Sequence, residues 1–395
     1  MESNYLGDLK TRLESLAIFR GLLGDSVLSA LHDYLENPTV GGYSRFVSRL
    51  YNTNEGSLGE YIKDICENSE NIYVRTVGRG MPIPEHISRC VSEELDILKE
   101  VSSLTSEILR APLEFKGFLP EIPESDTDLR ASFDYRVKNI GRYGYGIYAK
   151  NRMFYVDDDG GVIPVNNPDP TRLCDLVDYE RERGIIVDNT RALLEGKPAA
   201  NILLTGDAGT GKSSTVKAIG NEMFKEGLRI VEVRKDQLRA IPKILEQLSQ
   251  NPLKFILFID DLSFLQDDDN FNALKAVLEG SVSAKSKNVV IYATSNRRHI
   301  VRESFSDREG DEIHRNDTVQ ELISLSERFG IHITFQKPDK HTFLKIVRHL
   351  AESGGVNMPE EELELKAERF ALERGGRSAR LARQFIDGIL SSENQ

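Results

Sequence analysis

The sequence predicts an α/β protein: a parallel sheet with helices on both faces, a mainly helical domain before it and a helical cap after it. Three observations carry that prediction. Between residues 201 and 335 five short apolar runs, "NILLTG", "LRIVEV", "FILFIDD", "NVVIYATSN" and "IHITF", recur with amphipathic stretches between them. Apolar runs of that length read as strands buried on both faces, which a parallel sheet provides. The octet "GDAGTGKS" (206–213) stands where the first run gives way to "STVKAIGNEMF". Outside this block apolar residues fall at three-and-four spacing, the period of a helix with one buried face.

The elements follow in chain order. Residues 1–112 form a helical N-terminal domain, with "SVLSALHDYLEN" and "ISRCVSEELDILKEVSSLTSEILR" as its clearest helices. Residues 113–170 are turn-rich. They contain "APLEFKGFLPEIPESD", the glycine–tyrosine mixture "GRYGYGIYAK", and "RMFYVDDDGGVIPV". In the last, two β-prone runs flank a glycine turn, as in a hairpin. Asp157, Asp158 and Asp159 lack the spaced ligands of a calcium loop and read as an acidic turn. "NNPDPTRLCDL" leads into the α/β core, residues 171–337. There "NFNALKAVLEGS" puts Phe271, Leu274 and Leu278 on one helical face. Residues 338–395 are a helical lid. Asp339 can cap "HTFLKIVRHLAESGG", and "EEELELKAERFALERGG" and "RSARLARQFIDGIL" follow.

Composition narrows the partners. No apolar run reaches the roughly 18 residues of a membrane span. "MESNYLGDLKTRLESLAIFRG" lacks the basic-then-apolar pattern of a secretory signal, so a cytoplasmic protein without membrane contact is expected. Cys66, Cys90 and Cys174 are odd in number and far apart. That is neither a disulfide framework nor a zinc pattern, and buried reduced thiols are expected. The net charge of −12 is unevenly spread: residues 1–170 hold 18 Lys+Arg and 27 Asp+Glu, residues 171–395 hold 33 and 36. Nucleic-acid binding rests on Lys and Arg neutralising phosphates, so the acidic front gives it no general support. Arg234, Lys235, Arg239 and Lys243 are interleaved with Leu238 and Ile241, and read as the solvated face of a helix.

The octet matches G-x-x-x-x-G-K-[ST], with Gly206, Asp207, Ala208, Gly209, Thr210, Gly211, Lys212 and Ser213, and Ser214 following. Glycines let the backbone curl so that successive N–H groups face phosphate oxygens. The helix N-terminus adds its positive dipole end. Lys212 supplies a cation for the β and γ phosphates and Ser213 a hydroxyl ligand for Mg²⁺. "FILFIDD" carries Asp260 and Asp261 to the C-terminal end of a buried strand, where such sheets present ligands. Asp260 suits a Mg²⁺ partner. Asp261 suits a base or water-positioning carboxylate. Adjacent carboxylates repel unless a cation offsets them, which favours the metal reading. "YATSN" ends another strand on the same rim, where Asn296 can reach a γ-phosphate or the attacking water.

Cradle, paired acid and polar strand end, in that order and followed by a helical lid, resemble the AAA+ ATPases. The resemblance extends to two arginines. In "SLSERFG" (324–330) Arg328 stands where such proteins place a finger reaching a neighbouring subunit's ATP. In "RSARLARQF" Arg380 stands where the lid places a second sensor of the γ-phosphate. Arg297 and Arg298 compete with Arg328 for the finger role. "GTGKSS", "DDLSF", "LKAVLEG", "YATSNRRH" and the lead-in "LCDLVDYERERGIIVDNTRALLEGKPAANILLTG" together look like the bacterial family called domain of unknown function 815, over about 173–390. Two positions depart from expectation. Aspartate replaces the glutamate usual in AAA+ proteins at 261, although the family itself carries this pair. Asp178 stands where the lead-in leads one to expect glycine.

The resemblance implies ATP and Mg²⁺ as cofactors and a ring or transient homo-oligomer, with turnover driving conformational change in a protein partner reached through the N-terminal domain. Two other readings stay open: a nucleotide-gated binding module with negligible turnover, and a nucleic-acid-associated AAA+ ATPase. A GTPase is disfavoured because no N-K-x-D motif occurs. A threading unfoldase is disfavoured because "RKDQLRAIPKI" lacks an aromatic–apolar–glycine loop.

Overall fold

The computed structural model describes residues 2–53, 55–262, 269–279, 287–296 and 327–393. Arg297, Arg298 and most of the stretch before Arg328 lie outside them. The chain divides into two units: residues 1–150 with 251–253, and residues 151–250 with 254–395.

The first unit is helical. Its helices are α1 (Glu2–Glu14), α2 (Ser26–Glu36), α3 (Val40–Tyr51), α4 (Leu58–Asn68), α5 (Ile72–Gly78), α6 (Glu85–Ser102), α7 (Ser106–Arg110), α8 (Leu129–Lys138), α9 (Ile140–Tyr143) and α10 (Ile147–Lys150). Side-chain oxygens of Asp25, Thr39, Ser57, Asn71, Thr105 and Asp128 accept the orphan N–H groups at six helix starts. Leu9, Leu31, Tyr34, Phe46, Leu98 and Phe133 share the core. Glu94 is buried there, and its carboxylate accepts the N–H groups of Ala17, Ile18 and Phe19 at 2.8–3.1 Å. Those bonds offset its desolvation and fix the turn after α1.

The second unit holds a seven-stranded sheet. Its strands are β1 (Met153–Val156), β2 (Val162–Pro164), β3 (Ile202–Gly206), β4 (Leu228–Glu232), β5 (Lys254–Ile259), β6 (Val289–Ser295) and β7 (Ile331–Phe335), in the order β2-β1-β4-β5-β6-β3-β7. Only the β1–β2 hairpin is antiparallel. The helices are α11 (Glu180–Leu194), α12 (Lys212–Glu222), α13 (Ile241–Ser249) and α14 (Asp269–Glu279), then the lid helices α15 (Lys340–Gly354), α16 (Glu360–Glu373) and α17 (Ala379–Glu393). Ile202, Leu204, Phe258, Tyr292 and Phe335 pack with Ile186 of α11 and Val216 and Ile219 of α12. The alternate residues Leu203, Val231, Leu257 and Ile291 are equally buried, and α13 lies against β6. Both faces are therefore covered, which explains the unbroken apolar runs. This is the α/β P-loop fold with helices on both faces and a C-terminal helical lid that the sequence predicts.

The sequence reading grouped the hairpin with residues 113–170. In the structure its strands widen the same sheet, β1 pairing in parallel with β4. That pairing joins residues far apart in sequence, which local patterning does not report. The hairpin turn is acidic as read: Asp157 accepts the N–H groups of Asp159 and Gly161. Asp339 caps α15 through Thr342 N–H. Leu274 and Leu278 are buried; the Phe271 side chain lies outside the description. The cysteines correct an expectation. Only Cys66 is buried, Cys90 is half-buried and Cys174 is exposed, because Cys174 sits in the lead-in turn rather than on a packed face.

Candidate functional site

The octet folds as a loop between β3 and α12. Gly206, Gly209 and Gly211 have φ of +136°, +78° and +91°. At Gly206 the need is steric too, because a Cβ there would fall on the Phe335 carbonyl oxygen of β7. Thr210 Oγ1 donates to Asp207 O at 2.9 Å, and Thr215 Oγ1 to Gly211 O at 2.8 Å. Both bonds brace the loop. Asp207 and Ala208 are exposed at its crest, and Ser214 is half-buried behind Ser213.

Lys212 is only 4% exposed, and burial pushes its ammonium below the usual lysine pKa. Its Nζ donates to Gly206 O and Asp207 O, each at 2.8 Å, and to Asn296 Oδ1 at 3.1 Å. Ser213 Oγ donates to Asp260 Oδ1 at 2.6 Å. Asn296 Nδ2 donates to Asp261 Oδ1 at 2.7 Å. Lys212, Ser213, Asp260, Asp261 and Asn296, drawn from three strand ends, thus meet in one hydrogen-bonded cluster.

Sequence reasoning passed over the group that ties this cluster together. Thr294 Oγ1 donates to Asp260 Oδ1 at 2.6 Å and accepts the Asp261 N–H at 3.0 Å. Asp261 sits at φ +54°, a left-handed conformation that costs an L-residue about 1–2 kcal/mol. The Thr294 bond holds that turn and so aims the short Asp261 side chain. The only signal in sequence was the polar ending of "YATSN".

A cavity of about 760 Å³ lies over the cluster, within the roughly 300–1,000 Å³ of small-molecule pockets. One end is polar, with Lys212, Ser213, Asp260, Asp261 and Asn296. Leu176, Val177, Ile346 and Leu350 supply apolar lining. Arg380 and Arg383 of α17 reach it from the lid. Arg380 N–H approaches Gly209 O at 3.4 Å, and a Cβ on Gly209 would lie 3.0 Å from Arg380 Cβ. Arg383, one helical turn beyond Arg380, was not singled out in sequence. Arg328 is half-buried in the helical turn three residues before β7, next to buried Phe329, and does not line this cavity.

The lead-in strap is held by another residue that sequence reasoning missed. Arg183 is buried and donates to the carbonyls of Leu173, Leu176, Asp178 and Tyr179. Asp178 and Tyr179 have φ of +66° and +61°. Position 178 therefore has the backbone geometry that glycine favours. Tyr179 OH donates to Gln336 O at 2.5 Å and its ring lies 5.1 Å from that of Phe335.

The residues present fit a nucleotide polyphosphate with Mg²⁺. The cradle admits no Cβ at Gly206, a buried cation faces its mouth, and the Ser213–Asp260 pair offers hard oxygen donors. Among the described residues no three His, Cys, Asp or Glu gather as a metal cage. No helix among them is long and apolar enough to cross a membrane.

Comparison with solved structures finds distant likenesses. The RuvB Holliday junction branch migration motor of Thermotoga maritima is 17% identical over 55% of this chain and 63% of that chain, with a TM-score of 0.38. AMPPCP-bound DnaA from Aquifex aeolicus is 19% identical over 56% and 66%, with a TM-score of 0.40. The FIGL-1 AAA domain in complex with ADP is 17% identical over 56% and 73%, with a TM-score of 0.37. The match thus spans less than two thirds of the RuvB chain. The family model described as "Protein of unknown function (DUF815)" matches residues 149–393, well over half of the sequence, and the chain belongs to that family.

Proposed function

We propose that this protein binds ATP·Mg²⁺ between sheet and lid and hydrolyses it to drive a conformational change that remodels a protein partner. The observation that carries this reading is the hydrogen-bonded cluster of Lys212, Ser213, Asp260, Asp261 and Asn296 on the wall of a nucleotide-sized cavity. Bound ATP·Mg²⁺ supplies the phosphoanhydride and a divalent cation that neutralises charge on its oxygens. Lys212 exchanges its carbonyl partners for phosphate oxygens. Ser213 and Asp260 would hold the cation. Asp261 would orient water and accept its proton, and the Asn296 hydrogen bond would hold Asp261 for that role. Arg380, on the lid, adds positive charge as phosphoryl transfer proceeds.

Arg328 is proposed to serve a neighbouring copy's site. Its position off the chain's own cavity supports that role, and with it a homo-oligomer. A second reading is favoured by one feature: Asp261 is short and already bound to Asn296. Under that reading nucleotide gates a binding surface with negligible turnover. Equilibrium binding of ATP with and without Mg²⁺, in wild type and Lys212→Ala, tests the shared premise. A loss of at least tenfold in the variant is expected. Equal binding by both proteins would overturn the nucleotide site.

A further inference from the structure

A second, smaller cavity of about 330 Å³ adjoins the cradle. Its walls include Gly206 and Asp207 of the octet, Asn296, and Thr334 and Lys337 at the end of β7 and just beyond it. Asn296 and Phe335 line both cavities and so stand between them. Lys212 lies at the same partition, since its Nζ donates to Gly206 O, Asp207 O and Asn296 Oδ1. At about 30 Å³ per water molecule, the space has room for a tetrahedral oxyanion and several waters.

Two groups on these walls suit an oxyanion. Lys337 brings an ammonium, which packs against Gly376 in the lid, and no carboxylate among the described residues forms an ion pair with it. Thr334 brings a hydroxyl. Its Oγ1 lies 3.1 Å from Oγ1 of buried Thr205, which in turn lies 3.2 Å from His332 Nε2, so the hydroxyl is braced from behind. Asp207 is the one acid among the described wall residues. It repels an anion, so the balance favours passage over tight retention. After cleavage the product phosphate would stand at Lys212 with ADP still seated in the larger cavity, and the smaller cavity is the space across the partition. We propose that it binds inorganic phosphate and serves as the exit through which the hydrolysis product leaves ahead of ADP, with Lys337 as its cation. The proposal rests on the ATPase reading above and adds to it a second site in the same unit.

The test uses the full chain saturated with Mg²⁺ and a non-hydrolysable ATP analogue, so that the γ-phosphate position is filled. Line broadening of inorganic phosphate in ³¹P magnetic resonance then reads binding elsewhere. Broadening should persist in wild type. Lys337→Glu should cut phosphate affinity about tenfold, the size of one charged hydrogen bond, and Thr334→Val about fivefold, that of a neutral one. Lys366→Glu, the same charge change at an exposed position of α16, should leave it unchanged, and analogue affinity should hold in all three variants. During turnover, Lys337→Glu should release phosphate, followed by a fluorescent phosphate sensor, more slowly than it cleaves ATP, followed by acid quench. Loss of broadening once the analogue is bound, or equal broadening in wild type and Lys337→Glu, would overturn the phosphate site while the bound analogue leaves the nucleotide site standing. Release that keeps pace with cleavage in Lys337→Glu would overturn the exit role. Failure of the analogue to bind would overturn both this inference and the nucleotide reading beneath it.

Discussion

Thr294→Val removes one hydroxyl and keeps the side-chain shape. In the structure that hydroxyl donates to Asp260 at 2.6 Å and accepts Asp261 N–H at 3.0 Å. The Asp261 bond offsets a left-handed backbone costing about 1–2 kcal/mol, and a hydrogen bond contributes a net of about 0.5–1.5 kcal/mol. Without it, Asp261 relaxes toward an ordinary conformation and its carboxylate leaves the cluster. About 1.4 kcal/mol corresponds to a tenfold change in the competent population. ATP turnover should therefore fall about tenfold, or further if the Asp260 bond to the cation site also matters. Affinity for ATP should stay within about twofold, because Lys212 and the loop N–H groups are untouched. Steady-state hydrolysis paired with equilibrium nucleotide binding reads both quantities, and Mn²⁺ paramagnetic resonance on the nucleotide complex reads the cation site directly. Thr294→Ser should restore turnover. Unchanged turnover in the valine variant, or equal losses of binding and turnover, would refute the positioning role.

Three other perturbations probe neighbouring parts of the account. Asp178→Gly, at φ +66°, exchanges a left-handed cost of about 1–2 kcal/mol for glycine's entropic cost of about 0.5–1 kcal/mol. Urea unfolding should show stability level or slightly raised, and a loss above about 1 kcal/mol would contradict the backbone geometry. Gly209→Ala strains φ +78° and presses on Arg380; ATP affinity should fall about tenfold by equilibrium titration while circular dichroism stays unchanged. Iodoacetamide at pH 8, read by peptide mass spectrometry, should label exposed Cys174 first. Cys90, whose hydrogen bond to Glu94 pushes its pKa up to about 11, and buried Cys66 should lag far behind. Equal rates at all three would contradict the burial described.

The sheet was legible because burial on both faces leaves an unbroken apolar run, and each core strand could be read that way. The loop after β3 was legible because its chemistry requires glycine, lysine and a hydroxyl at fixed spacing. What escaped depended on contacts across the chain. The β1–β4 pairing joins distant residues, and nothing local in "RMFYV" announces a parallel neighbour. Thr294 is one hydroxyl among three polar residues at a strand end; its double hydrogen bond exists only once β5 and β6 lie side by side. Arg183 reads as one more charge in "ERERG", although it is buried against four carbonyls. Expecting glycine at 178 did report the backbone there, but the sequence satisfies it with aspartate.

Steady-state ATP hydrolysis against protein concentration tests the central claim most directly, with wild type beside Lys212→Ala, Asp261→Asn and Arg328→Ala. The account predicts specific activity that rises with concentration and collapses in all three variants, because each site would need its own cradle and carboxylate and a neighbour's arginine. Tight, Lys212-dependent ATP binding with no turnover at any concentration would contradict it and leave the nucleotide-gated binding module.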